Sequence, residues 1–278
     1  MTNRKLLLVG AHRIAILLFV LFALFPIFWL VKVSVTPNDL LYSEGVRLWP
    51  SRMTFDHFSH VLNNSSFPLF FRNSLIVSGS TAIIVTLLAS LSGYALSRFN
   101  FRAKYWIVAL MLLTQMFPLV MLIAPIYKIM APLGLTNSLI GLIIVYSAFN
   151  VPFATFLMQS FFDGIPKELE EAAKIDGAGE LRTFFVIVIP MLLPALGALA
   201  IFAFMHAWND YLWQLVVLQS ESMLTLPLGV STMIYEEITV NYGMAMTGAT
   251  IAAVPLIAFF LALQKSFIQG ITLGSIKG

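Results

Sequence analysis

Apolar residues along the chain gather into six blocks, at 14–35, 69–96, 105–127, 138–160, 184–206 and 243–263, with polar stretches between them. Each block holds about twenty residues or slightly more, enough for a helix to cross a hydrocarbon core of about 30 Å. The pattern predicts an all-α membrane protein with six transmembrane helices. Residues 1–68 form one region, the first span and the outer loop after it. Residues 69–278 form the core transmembrane domain, which carries a cytoplasmic loop at 163–183. Within the first outer loop, Phe55, Phe58, Val61 and Leu62 recur at helical spacing and predict a short amphipathic helix. In the second block Ser74, Ser78 and Ala82, then Ala89 and Gly93, sit four apart and would admit a neighbouring helix closely. The fifth block contains Pro190 and Pro194, a long outer segment covers 207–242, and a tail follows the sixth block. No internal repeat is visible.

Only one long charged stretch interrupts this pattern. Between the fourth and fifth blocks, Glu168, Glu170, Glu171, Lys174, Asp176, Glu180 and Arg182 crowd together. Leu169, Ala172 and Ala173 fall at i, i+3, i+4 and predict a small apolar helix face, with Glu170, Glu171 and Lys174 pointing elsewhere. Gly177 and Gly179 then break the helix. A short helix with an alanine face and a glycine break suits docking into another protein's groove, not catalysis.

Composition narrows the classes further. The chain has 278 residues, of which 59% are hydrophobic and only 10% charged, and its mean hydropathy is +0.91. Little room remains for a soluble domain. With no cysteine, disulfides and thiolate chemistry are excluded. The net charge of +3 needs no nucleic-acid partner, because cationic loops facing anionic membrane lipid account for it. Arg4, Lys5, His12 and Arg13 precede the first block, whose apolar run exceeds a signal peptide's and lacks a cleavage site, so it is read as an uncleaved span. With the N-terminus inside, Arg4, Lys5, Arg13, Arg98, Arg102, Lys104, Lys167, Lys174, Arg182, Lys265 and Lys277 are internal. Arg47, Arg52, Arg72, Lys128 and Lys32 are external or nearly so, and eleven against five predicts both termini in the cytoplasm.

Catalytic signatures are missing. There is no HExxH, Gly-x-Gly-Asp, GxSxG or phosphate loop, and the last span has no histidine to serve a membrane serine protease. If ATP drives this protein, another chain must hydrolyse it. The span centres carry essentially no ionisable group of the kind a proton- or sodium-coupled carrier uses. Gln115 precedes Pro118 and Asn150 precedes Pro152; these amides either satisfy carbonyls released at the prolines or line a substrate path. Tyr146 and Phe149 stand beside them, as do Phe117, Phe153 and Phe156, and amides with aromatics would suit a neutral hydroxylated substrate. At the outer boundary Trp208, Tyr211 and Trp213 form either an interfacial aromatic belt, with Asn209 and Asp210 capping a helix, or part of a surface meeting an external protein. The acidic residues Glu221, Glu236 and Glu237 belong to the same stretch.

The spacing of Glu171, Ala172, Ala173, Asp176, Gly177, Ala178, Phe184, Ile187 and Pro190 resembles the cytoplasmic loop of binding-protein-dependent ABC importer permeases. YALSRFNFRAK at 94–104, the Trp208–Asn209 pair and the ending GITLGSIKG extend the resemblance over nearly the whole chain, to the smaller permease subunit of maltose-type carbohydrate importers. The resemblance implies a type I importer permease fold in a bacterial or archaeal cytoplasmic membrane. It also implies a second related permease, an ATPase homodimer or heterodimer holding ATP and Mg, and an extracytoplasmic substrate-binding protein. This chain itself would hold no cofactor or metal. Glu171 to Ala178 would form the helix seated in an ATPase cleft, and the tail at 267–278 would approach the ATPases. Ligand contacts in the maltose case fall chiefly to the partner permease, while Trp208, Asn209 and Asp210 would face the binding protein. A stand-alone secondary sugar transporter is the alternative, and a non-transporting scaffold a third.

Overall fold

The computed structural model describes residues 3–63, 65–235 and 241–275, with side chains described over 9–233 and 241–262 apart from 64. In chain order the helices are α1 (Asn3–Ser34), α2 (Asn38–Ser43), α3 (Asp56–Asn63), α4 (Phe67–Arg98), α5 (Lys104–Met116), α6 (Leu119–Met130) and α7 (Leu139–Asp163). Then follow α8 (Glu168–Ile175), α9 (Glu180–Thr183), a π-helical turn (Phe184–Val188), α10 (Ile189–Met191) and α11 (Leu193–Asn209). The series closes with α12 (Leu212–Val217), a 3-10 turn (Glu221–Met223), α13 (Leu226–Tyr235) and α14 (Tyr242–Ser275). No strand occurs among the described residues.

Among the described residues four helices, Val9–Ser34 of α1, α4, α7 and Tyr242–Ala262 of α14, are long and apolar enough to cross a membrane. The third and fifth apolar blocks are not single helices, and this corrects the expectation of continuous spans there. α5 and α6 meet at 108°, and Glu180–Met191 meets Leu193–Asn209 at 78°. Pro118 explains the first break: it offers no N–H and forces Phe117 into extended backbone (φ −82°, ψ 130°). In the fifth block Pro190 and Pro194 both lack donors, and the chain adapts with the π turn before the first and a bend at Leu192 before the second. Counting each bent pair as one span gives six. The outer segment at 207–242 contains α12, the 3-10 turn and α13, and α14 continues past the predicted end of the sixth span to Ser275.

The chain divides into two compact units. The first comprises Met1–Pro68 and Gly229–Val254. In it α1 presents most of its apolar side chains outward, as lipid allows; Phe22 is 79% exposed. The predicted amphipathic helix forms as α3, burying His57 and Val61 while Phe55 and Leu62 stay exposed. Thr247 donates to the Ser34 carbonyl (3.3 Å), and Gly243 lies so close to His57 and Asn38 that a side chain there would collide with both.

The second unit comprises Leu69–Leu228 and Pro255–Gly278. Here the small-residue stripe of α4 performs as its spacing predicts. Ser74, Ser78, Ala82 and Ala89 are buried, and a Cβ at Gly93 would stand 2.8 Å from Met158 Cβ and 2.9 Å from the Gln159 amide nitrogen. α4 and α7 therefore touch backbone to backbone, and the Ser92 and Thr155 hydroxyls bond across the contact at 2.7 Å. Asn73 donates to the Ser222 and Leu224 carbonyls, which ties the outer segment to the opposite end of α4.

Candidate functional site

The charged interruption folds as predicted into a short helix with a sharp stop. Glu168, Glu170 and Glu171 in the first turn of α8 and Lys174 in its last complement the helix dipole. Beyond Asp176 the Gly177 amide donates to the Lys174 carbonyl (3.0 Å), and the Ala178 amide donates to the Ala173 carbonyl (2.9 Å). That pair is a Schellman stop, and it requires left-handed backbone at Gly177, where φ is +82°. Gly177 is therefore a fixed cap.

The structure divides the predicted apolar face of α8 between outside and inside. Ala173 is buried, but Leu169 and Ala172 are exposed, and the second inward residue is Glu170. Arg98 Nε donates to Glu170 Oε1 at 2.6 Å, with the two side chains only 7% and 9% exposed. Tyr94 donates its hydroxyl to Oε2 at 2.7 Å, and Arg98 Nη2 reaches the Ile165 carbonyl at 3.0 Å. The neighbouring Ser97 hydroxyl donates to Asp163 at the end of α7. A buried pair of this kind is held by its hydrogen bonds, and removing one partner leaves a charge whose exposure to the interior costs about 3–5 kcal/mol. The tyrosine ring packs at 4.7 Å from Phe184 and 5.4 Å from Phe162, so one aromatic cluster gathers the ends of α4, α7 and the π turn.

The opposite face of α8 is open. The Glu171 carboxylate makes no ion pair or hydrogen bond among the described residues, and with Leu169, Ala172 and Ile175 (86% exposed) it forms an outward surface that Leu181 extends. Asp176 and Gly177 close its end. Of the predicted motif, Glu171, Ala172, Asp176 and Gly177 thus face out, Ala173 faces in and Ala178 is half-buried. The signal for the inward Glu170 lay in its i, i+3 spacing to Ala173, but its partner Arg98 is 72 residues away in the chain.

A second feature is a cavity of about 260 Å³ lined by Thr114, Gln115, Phe117, Leu119, Phe149, Asn150, Phe153, Phe202 and His206. Three of the four residues predicted for a substrate path, Gln115, Phe149 and Asn150, come together here with His206, which the linear reading placed near a span end. Tyr146 does not line it; its hydroxyl donates to Asp210 at 2.8 Å. Asn150 Nδ2 donates to the Tyr146 carbonyl (2.7 Å) and lies 3.4 Å from His206 Nδ1. Gln115 Nε2 donates to the Phe149 carbonyl at 3.4 Å. Neither amide bonds the Ala148 or Thr114 carbonyl, the two whose i+4 donors are replaced by Pro152 and Pro118. Gln115 instead takes the Phe149 carbonyl, three residues before Pro152, and Asn150 the Tyr146 carbonyl. Among the described residues no carboxylate, lysine or arginine lines the cavity.

The outer aromatic segment splits. Trp208 is buried, stacked on Phe204 (5.3 Å) and edge-on to Phe71 (5.8 Å), and Trp213 is buried against Phe149. Asp210 accepts from the Trp213 amide at 3.0 Å and so caps α12, while Asn209 turns back to the Met205 carbonyl. Asn209 and Tyr211 are exposed. Glu236, Glu237 and the last three residues of the tail lie outside the described residues.

Residues 85–273 match the family described as binding-protein-dependent transport system inner membrane component. The chain is similar to the arabinooligosaccharides transport system permease protein of Bacillus subtilis (strain 168), 36% identical over 97% of each chain. It is also similar to the trehalose/maltose transport system permease protein of Thermococcus litoralis, 30% identical over 99% of this chain and 98% of that one. Among solved structures, a bacterial ABC transporter involved in the import of the acidic polysaccharide alginate superposes with a TM-score of 0.82, at 23% identity, over 96% of this chain and 99% of that one. The last match shows the importer permease fold.

Proposed function

The chain belongs to the family of binding-protein-dependent transport system inner membrane components, and from that premise we propose that it is a permease subunit of an ATP-driven carbohydrate importer. It shares the translocation path with a second, related permease and takes the stroke of an ATPase pair through α8. ATP and Mg are bound by those ATPases, not by this chain. A substrate-loaded binding protein docks outside, near Asn209 and Asp210 and the packed Trp208 beneath them.

The observation that carries the coupling role is the two-faced seat of α8. Glu170 and Ala173 hold it to the bundle, while Glu171, Leu169, Ala172 and Ile175 stand out for a partner's cleft. The basic-residue count supports a cytoplasmic position for that helix and for both termini. Two relatives named for sugar oligomers support a carbohydrate substrate. The cavity around Gln115, Phe149 and Asn150 suits the same class, because amides and aromatic rings bind hydroxylated neutral rings.

Reconstitution tests the proposal. The chain is co-expressed and purified with an ATPase, a second permease and a binding protein from the same genome, and ATP hydrolysis is measured in proteoliposomes with arabinooligosaccharides, trehalose and maltose. Stimulation by one of these through the binding protein is expected. A chain that purifies alone and moves sugar without ATP would overturn the proposal.

A further inference from the structure

We propose that Glu170, gripped by Arg98 and Tyr94, is a positioning residue that makes α8 and the adjoining end of α4 move as one body. The inference rests on the reading of α8 as the ATPase-coupling helix and adds the route by which its displacement enters the bundle.

Sequence connectivity carries a push on α8 only to its neighbours, α7 before it and α9 after it. The stop at Gly177 and the break at Gly179 follow at once, so the path onward to α9 runs through a turn. α4 is reached in no such way, since Arg98 and Glu170 are 72 positions apart. Yet α4 bears the close contact with α7 at Gly93 and the outer ties at Asn73, so a displacement delivered to it reaches the opposite end of the bundle.

The grip has the form such a joint needs. Tyr94 and Arg98 stand one turn apart on α4, and each takes a different oxygen of the carboxylate, at 2.7 and 2.6 Å. Two points of attachment fix direction as well as distance. The tyrosine ring is wedged among Phe99, Phe162 and Phe184, which keeps its hydroxyl aimed. Arg98 holds the Ile165 carbonyl as well, so the turn entering α8 is pinned with the helix. Because both charged groups are buried, separating them exposes neither to bulk water first, and moving together is the easier response. α8 has little else: of its inward residues, Ala173 supplies one methyl group. The other ion pair of the loop, Lys174 with Glu180, is half exposed and joins α8 only to α9.

The test exploits the absence of cysteine from the chain. Spin labels are placed through Glu168→Cys on α8 and Leu75→Cys on the exposed surface far along α4, in the complex with its ATPase and second permease. In the otherwise wild-type chain the label separation is expected to be the same without nucleotide and after trapping with Mg-ATP and vanadate. Glu170→Gln is expected to broaden the distance distribution about twofold and to let the separation differ between the two states, with ATP hydrolysis by the complex retained. Exchanging the charges, Arg98→Glu with Glu170→Arg, restores at least half of the narrowing. A merely structural role for the pair predicts loss of assembled complex without a state-dependent separation. Tyr94→Phe, which removes one hydrogen bond and no charge, gives a smaller broadening and provides the reading if Glu170→Gln does not accumulate in membranes. An unchanged distribution in the variants, or a wild-type separation that shifts with nucleotide as much as theirs, would overturn the inference. If no ATPase associates with the chain at all, the coupling reading of α8 fails. The label separation in the chain alone, with and without Glu170→Gln, then still decides whether the joint is rigid.

Discussion

Arg98 and Glu170 form a buried ion pair, 2.6 Å from nitrogen to oxygen, between the last residue of α4 and the third residue of α8. Arg98→Ala leaves the carboxylate buried with only Tyr94 as donor and is expected to cost about 3 kcal/mol. Thermal unfolding of the detergent-solubilised chain measures that loss. Arg98→Ala combined with Glu170→Ala should recover most of it, because no orphaned charge remains. A double variant as unstable as the sum of the singles would contradict this account.

Gly177 holds its helix stop at φ +82°, where a β-carbon is strained by about 1–2 kcal/mol. Gly177→Ala is expected to reduce uptake partly, Gly177→Asn less, and Gly177→Pro completely, since proline holds φ near −65°. Insertion into membranes should survive in all three, because the site is exposed and nothing stands within 4 Å of the added Cβ. Uptake assays normalised to the amount of inserted protein distinguish these ranks.

Gly93 tolerates no side chain, because the atoms a Cβ would strike include the Gln159 backbone nitrogen at 2.9 Å. Gly93→Ala forces α4 and α7 apart and is expected to destabilise by about 1–3 kcal/mol. Gly79→Ala on the same helix meets nothing within 4 Å and serves as the neutral control. Both are read from the melting temperature of the purified protein.

Asn150 is the buried amide of the cavity it shares with Gln115 and His206. Under the proposed function, Asn150→Leu removes one hydrogen bond to a sugar hydroxyl, worth about 1 kcal/mol, so half-maximal uptake should need about fivefold more loaded binding protein. Assembly with the ATPase and its basal hydrolysis should stay unchanged. Equal uptake curves for the variant and wild type would remove Asn150 from the path.

The layout of spans was largely legible because lipid imposes one rule, that about twenty apolar residues make a crossing helix. The stripe from Ser74 to Gly93 was legible for the same reason, since close helix contact needs small residues at a fixed interval. The bends were not. Pro118, Pro190 and Pro194 announce lost donors, but whether a helix merely kinks or turns through 108° depends on what packs around the break. The inward seat of α8 was not legible, because Leu169 with Ala172 and Ala173 makes a docking stripe and nothing local marks Glu170 with Ala173 as the buried pair. A carboxylate reads as solvated until its cation is found, and Arg98 arrives through the tertiary fold. Trp208 reads by its position as an interfacial ring or as part of a surface meeting an external protein, yet Phe71 and Phe204 enclose it.

The broken third span has a consequence for the life of the protein in a cell. α5 buries none of its own residues, and it ends at an open turn whose last carbonyls lack helical partners. Hydrocarbon can cover the side chains of α5 but cannot satisfy those carbonyls, which need another polypeptide or water. Under the proposed function, a copy made in excess of its companions is therefore an orphan whose flaw sits within the bilayer, in reach of membrane proteases. Pulse-chase labelling should show such copies cleared several-fold faster than co-expressed ones, so that the scarcest companion sets how many importers a cell keeps.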